Sequence, residues 1–243
     1  MFQYLSFRAA MAIITALLIA IVFGRRIIDR LARLQIGEEI RNLGLEGQMQ
    51  KKGTPTMGGI IILLAIVVPM LLFCDLKNIY IQLMLISTIW LGVIGGADDY
   101  IKVFRHNKEG LQGKFKVIGQ VGLGIIVGTI MCFSEQVVVV DKNNPENVAT
   151  EVVISEDGTH NLQTVAIGER TTKTTIPFVK NNEFDYHWLI PSDTKAGDVA
   201  TWVLYILVAI FIITAVSNSA NLTDGIDGLA TGVSAIIIVV LGV

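Results

Sequence analysis

The sequence predicts an all-α polytopic membrane protein with a small β-rich insertion. Three observations predict it. Of 243 residues, 52% are hydrophobic and only 16% are charged, against about 25% charged in an ordinary soluble domain. The mean hydropathy is +0.61. The apolar residues also fall into six blocks, where a soluble helix would interleave them with polar ones. This composition rules out a disordered chain and argues against a soluble enzyme. The formal net charge of −2 provides no basic field, so nucleic acid is not expected as a partner.

The blocks span residues 9–23, 58–74, 79–97, 117–133, 199–216 and 228–243. Such lengths, roughly 15–19 residues, lie near the lower limit for crossing about 30 Å of hydrocarbon. The first becomes long enough if residues 2–7 join it and Arg8 snorkels. Its basic cluster follows the apolar run, which argues against a cleaved leader. Pro69 is tolerable late in the second block, where neighbouring helices can satisfy the freed carbonyl. Gly124 and Gly128 form a G-x-x-x-G that would let another helix approach closely. Cys74 and Cys132 each end an apolar block and read as small buried hydrophobes. Two cysteines are too few for a disulfide framework.

Basic residues set the expected orientation. Arg25, Arg26, Arg30, Arg33, Arg41, Lys51 and Lys52 follow the first block; Lys102, Arg105, Lys108, Lys114 and Lys116 follow the third. Alternating spans put both groups on one side, expected to be cytoplasmic, with the N-terminus outside. Residues 134–198 then also lie outside. That segment is acidic and alternates β-branched runs (137–140, 151–154, 164–167, 174–179) with turn clusters, which predicts a small β-structured insertion. The expected organisation is therefore residues 1–133 (four membrane helices with cytoplasmic loops), 134–198 (insertion) and 199–243 (two further helices). His160 and His187 are isolated within the insertion and read as surface residues.

Three polar clusters resist this membrane logic. Gly95-Gly96-Ala97-Asp98-Asp99-Tyr100 ends the third block. Adjacent carboxylates repel, so ionising both calls for a cation or basic groups nearby. Mg²⁺ takes oxygen ligands, commonly one or two carboxylates plus substrate phosphates. A solvated helix end with a salt-bridged pair explains the cluster equally well. The second cluster repeats a polar residue every third position: Asn218, Asn221, Asp224, Asp227. Three residues advance about 300°, so this row cannot form one α-helical stripe. Gly225 and Gly228 instead predict a helix that breaks and restarts, turning these groups toward a cavity. Amides and carboxylates suit sugar or uracil hydrogen bonds and Mg²⁺ ligation; a plain polar turn is the other reading. The third cluster, residues 50–59, offers two lysines, two hydroxyls and glycine-exposed backbone to an anion. By the predicted topology all three lie at one membrane face.

At these residues the sequence resembles a known family. Residues 51–59 (KKGTPTMGG), 98–102 (DDYIK) and 218–230 (NSANLTDGIDGLA) are similar to the signatures of the phospho-N-acetylmuramoyl-pentapeptide transferases, within the polyprenyl-phosphate N-acetylhexosamine-1-phosphate transferase superfamily. The resemblance implies a multi-pass enzyme of the bacterial cytoplasmic (inner) membrane, with about ten membrane helices in the family and about six here. It implies attack by undecaprenyl phosphate on UDP-N-acetylmuramoyl-pentapeptide, giving lipid I and UMP, with Mg²⁺ required and the site on the cytoplasmic face. Asp98, Asp99 and Asp227 are the implied catalytic residues, Asp98 as base or phosphate-activating group. Lys51, Thr56, Lys102, Lys114, Asn218, Asn221 and Asp224 would bind substrate. Asp98, Asp99, Asp224 and Asp227 are the metal candidates, and the family's further metal Asp is expected beyond Val243. A homodimer is a family-based expectation.

That further Asp, in an F-M-G-D-x-G-S type segment, and the family's later His-rich loop do not occur in these 243 residues. Val243 itself ends an apolar run with no polar flank. The chain is thus expected to be an incomplete, truncated version of the enzyme, whose activity alone is in question. Two other readings are carried forward: a transferase using UDP-N-acetylglucosamine or a related sugar, and a transporter coordinating an ion.

Overall fold

The computed structural model describes residues 4–33, 57–105, 110–138, 148–154, 160–166, 171–176, 183–190, 194–224 and 228–242. Among them are helices α1 (Leu5–Leu18), α2 (Gly24–Arg33), α3 (Gly59–Phe73), α4 (Ile79–Phe104), α5 (Gly113–Phe133), α6 (Lys195–Asp224) and α7 (Leu229–Gly242). Four helical stretches are long and apolar enough to cross a bilayer: Leu5–Arg33, Ile79–Phe104, Gly113–Phe133 and Lys195–Asp224. The shorter apolar α3 and α7 complete the six regions expected from the sequence. The sixth block was expected to run to Val243; α7 is described as far as Gly242, and Val243 lies outside the described residues. The chain is an all-α, multi-pass membrane protein.

By contacts the described residues divide into one unit of residues 1–123 with 213–243 and another of residues 124–212. In the first unit, α1 passes through a π-helical turn, Ile19–Phe23, into α2. The continuous helix therefore runs ten residues beyond the expected end at Phe23. Arginine is a good helix former, and α2 buries Leu31 while its arginines stay exposed, so the helix continues past the apolar boundary in spite of Gly24. Gly24 lets α3 approach through Ile61, 3.6 Å from where a Cβ would stand. Pro69 is buried inside α3. Asn78 caps α4, accepting a hydrogen bond from the Tyr80 N–H at 2.9 Å. A Cβ on Gly92 would come within 2.8 Å of the terminal methyls of Leu63 on α3, so that side chain fills the space glycine leaves. The Trp90 indole donates to the Gly119 carbonyl at 2.8 Å, joining α4 to α5.

In the second unit, Gly124 and Gly128 do what their spacing predicts. A Cβ on Gly124 would lie 2.7 Å from the Ile210 Cα, and one on Gly128 would lie 3.2 Å from the Ile206 side chain, so α6 packs into the glycine face of α5. Cys132 is buried as expected, whereas Cys74, just past the end of α3, is only half-buried.

The insertion holds two antiparallel pairs. Strand β1 (Val148–Ile154) pairs β2 (His160–Ala166) in the register Val148↔Ala166 to Ile154↔His160. Strand β3 (Lys173–Thr175) pairs β4 (Glu183–Asp185), with Lys173 and Glu183 ion-paired at 3.3 Å. The runs at 151–154 and 164–167 thus fall largely in strands. The run at 137–140 does not: Val137 and Val138 are outside any strand, and the rest lies outside the described residues. β-Branched composition marks a surface that fits a sheet, but a strand needs a partner. The run at 174–179 contributes only Thr174 and Thr175, and its partner strand, Glu183–Asp185, has three residues, too few for its alternation to stand out in the sequence.

Candidate functional site

Asp98 lies in the last two turns of α4 and is buried, 7% exposed. A carboxylate there requires compensation. It receives three donors. Lys102, one helical turn on, places Nζ 2.9 Å from Oδ2. Lys116, in the first turns of α5, places its Nζ at 2.9 Å from the same oxygen. The Leu111 backbone N–H donates to Oδ1 at 2.7 Å. The connection between the helices is shaped to allow this. Gly110 has φ of 66°, a left-handed conformation open to glycine at little cost. A Cβ there would also strike the Asp98 carboxylate and come 2.7 Å from Cε of Lys102.

Asp99 follows about 100° round the helix, is half-buried and is itself engaged. The adjacent carboxylates therefore part company, and lysines compensate Asp98. Lys114 is exposed; the residue that α5 brings to Asp98 is Lys116, one of the basic residues just beyond the carboxylates but not one that the family resemblance singled out. Alternation along 114–116 offered two lysines, and only the helix phase of α5 distinguishes them.

The second cluster is built on α6. Asn218 is half-buried and joined to Gln120 of α5 by a reciprocal amide pair. The Asn218 amide donates to Gln120 Oε1 at 2.9 Å and to the Thr214 carbonyl at 2.8 Å. Gln120 donates to Ser217 Oγ at 3.0 Å and, more weakly, to Asn218 Oδ1 at 3.5 Å. Gln120 is 5% exposed, and the sequence reading missed it. Its signal was a lone amide in an otherwise apolar stretch of α5.

Helix α6 continues to Asp224, so Asn218, Asn221 and Asp224 share one unbroken helix, and the break expected in this row comes after them. Gly228, with φ of 77°, turns the chain before α7. Asn218 faces α5, while Asn221 and Asp224 are exposed at the end of α6. A carboxylate in the last turn opposes the helix dipole, so Asp224 is better suited to a cationic or hydrogen-bonding ligand than to capping its own helix.

Lys116 and Gln120 are four residues apart on α5, about 6 Å along its axis. The lysine–carboxylate group and the amide pair thus stand one turn from each other on a common helix. Lys51, Thr56 and Asp227 lie outside the described residues, as does Val243, the position beyond which the further metal Asp was expected. Within the third cluster, Met57 adopts φ of 70°, a costly left-handed conformation for a residue with a Cβ. Its carbonyl accepts the Ile60 N–H at 3.3 Å and that of Gly58 accepts the Ile61 N–H at 3.0 Å, starting α3.

The residues answer unevenly to a Mg²⁺ site. Both Asp98 oxygens already accept from cationic or amide donors. In this arrangement Asp98 does not fit a metal ligand. Asp99 and Asp224 supply the hard oxygen chemistry, but no group of three or more potential ligands converges among the described residues.

Residues 51–63 match signature 1 of the phospho-N-acetylmuramoyl-pentapeptide-transferases. A phospho-N-acetylmuramoyl-pentapeptide-transferase of Parabacteroides distasonis is 56% identical over 243 residues, 100% of this chain and 56% of that protein. The proteins of that name from Porphyromonas gingivalis and Flavobacterium psychrophilum are 54% and 53% identical; each alignment takes in 100% of this chain, and 56% and 58% of those proteins respectively. The chain spans about half the length of the curated relatives it matches. Residues 81–243 match the family described as glycosyl transferase family 4, a range that holds Asp98, both its lysines and the amides of α6; the chain belongs to that family.

Proposed function

We propose that this chain is part of a phosphoglycosyl transferase that moves phospho-N-acetylmuramoyl-pentapeptide from its UDP-linked precursor to undecaprenyl phosphate, giving lipid I and UMP for peptidoglycan synthesis. An oxygen of the lipid phosphate attacks the sugar-linked phosphorus. A new P–O bond forms, the bond to the bridging oxygen breaks, and UMP leaves with that oxygen. The difficulty is electrostatic, because anionic phosphates must meet. Such transfers are catalysed mainly by positioning and charge stabilisation.

One observation carries the reading: two ammonium groups, from Lys102 and Lys116, are held together at 2.9 Å from one buried carboxylate oxygen. Preorganised cations are what a developing phosphate charge needs. Asp98 keeps them in register, and an arriving phosphate competes with Asp98 for them, which releases the carboxylate to act on the acceptor. Lys51, Thr56 and Lys114 would add phosphate contacts. Asn221 and Asp224 would bind nucleotide, with Asp227. Asn218, occupied by Gln120, supports that end of α6. Mg²⁺ when bound would neutralise pyrophosphate charge, with Asp99, Asp224 and Asp227 as its candidate ligands. The same reading places the site on the cytoplasmic face of the inner membrane, the N-terminus and the β-rich insertion outside, and a homodimer as the assembly.

The test is UMP release in membranes containing the chain at the length of its relatives. UDP-N-acetylmuramoyl-pentapeptide should release UMP and UDP-N-acetylglucosamine should not; the reverse pattern would establish the amino-sugar transferase instead. Asp98→Asn should abolish release while membrane insertion is retained, and full activity of that variant would remove Asp98 from the mechanism.

A further inference from the structure

At the N-terminal end of α6, strand β4 runs into a 3₁₀ turn, Tyr186–Trp188. Asp185 caps this turn, accepting the His187 N–H at 2.9 Å. Tyr186 is buried at 4% exposure, yet Trp188 and Leu189 beside it are 61% and 60% exposed. An exposed tryptophan next to an exposed leucine is costly in water. The pair is also not floppy. Phe184 meets Tyr186 and Trp188 edge-on, at 5.2 and 5.8 Å between ring centres, and Tyr186 meets Tyr205 of α6 at 5.7 Å. Tyr205 in turn approaches Met131 of α5, its hydroxyl 3.9 Å from the sulfur.

The contact with Tyr205 fixes the level of the turn against the bilayer. Helix α6 has no charged residue between Asp198 and Asp224, so its hydrocarbon span starts near Val199. Tyr205 is six residues further, about 9 Å along the axis. The headgroup layer is only about 5–7 Å thick on each side. A ring packed on Tyr205 therefore has its backbone at headgroup depth or below, and Trp188 is at most about 4 Å from Tyr186 along a 3₁₀ turn. His187 and Asp198, 3.9 Å apart, mark the polar edge at the same level.

We propose that residues 186–189 are a membrane-interface anchor. Trp188 and Leu189 insert among phospholipid headgroups and upper acyl carbons of the leaflet at the N-terminal end of α6, with the β3–β4 pair seated above them. Tryptophan suits that layer because its ring is apolar and its N–H can still reach a polar partner. The inference concerns lipid, and it is independent of the reaction proposed above.

The experiment is depth-dependent fluorescence quenching in phosphatidylcholine vesicles, using the chain with Trp188 as its sole tryptophan (Trp90→Phe, Trp202→Phe). Bromine on upper acyl carbons should quench Trp188 more than bromine near the bilayer centre. Emission should be blue-shifted, and aqueous iodide should quench little. Strong iodide quenching without bromolipid quenching would put the turn in water and overturn the proposal. Insensitivity to both would mean that protein covers it, which also overturns it. Should that double variant fail to insert, a nitroxide on Trp188→Cys in a Cys74→Ala, Cys132→Ala chain gives the same decision: oxygen accessibility above that of a water-soluble nickel chelate supports the anchor, and the opposite order refutes it.

Discussion

Lys116 is the residue on which the site turns. A charge-assisted hydrogen bond to a poorly solvated carboxylate contributes about 1.5–3 kcal/mol, which is on the order of 10- to 100-fold in rate if it serves the transition state. Lys116→Met should therefore lower UMP release by that order, and more than Lys114→Met, whose side chain is exposed. Equal losses would mean that α5 does not discriminate between them. Gln120 makes a different demand. Interhelical hydrogen bonds in membranes average about 0.6 kcal/mol and reach about 1.7. The reciprocal amide pair should lie above the average because each amide both donates to and accepts from the other. Heat denaturation of Gln120→Leu, Asn218→Leu and the double variant should give a coupling energy of about 1 kcal/mol; additive losses would show the pair to be incidental. The sequence showed Lys116 as one basic residue among several but could not choose it over Lys114, and it did not show Gln120 at all, since each matters through the residue it meets on another helix.

Elements were more legible than contacts. Six apolar blocks became six helical regions because a bilayer requires every backbone group to be satisfied within the segment. Gly124 and Gly128 showed their packing face through spacing alone. What the sequence concealed was where helices stop. Helix α2 carries on through arginines past the apolar boundary, and α6 carries its amide row to Asp224 before it ends. A period-three row excludes a single stripe but not a helix, and here Asn218 faces α5 while Asn221 and Asp224 are exposed. The insertion was legible as β-structure but not in its pairing, which depends on partners distant in sequence. The glycine face gives the sharpest test at this scale. At Gly124 a new Cβ meets Ile210 backbone, which has nowhere to go, whereas at Gly95 it meets nothing within 4 Å. Gly124→Leu should destabilise the α5–α6 packing by about 1–3 kcal/mol or more, while Gly95→Ala should be neutral. Thermal stability in detergent measures both, and a tolerated Gly124→Leu would contradict the close approach.

For the molecule as a whole, the basic residues argue a single orientation. A cysteine introduced at Asn78 should react with a membrane-impermeant maleimide in intact cells, and one at Arg105 only after permeabilisation. The reverse result would invert the topology and move the Asp98 group to the other face. Asp98 and Lys116 also bear on how the parts of that face communicate. Lys116 holds the carboxylate of α4, and Gln120, one turn along, holds the amide of α6. Helix α5 is thus a shared axle with two attachments close together. A ligand that draws Lys116 from Asp98 by moving α5 must work against the amide pair, and one that shifts the end of α6 must strain the ion pair. Thermodynamic linkage would make such an effect reciprocal: if the lysines bind phosphate and the end of α6 binds nucleotide, as proposed, whatever the first does to the second, the second does to the first by the same factor.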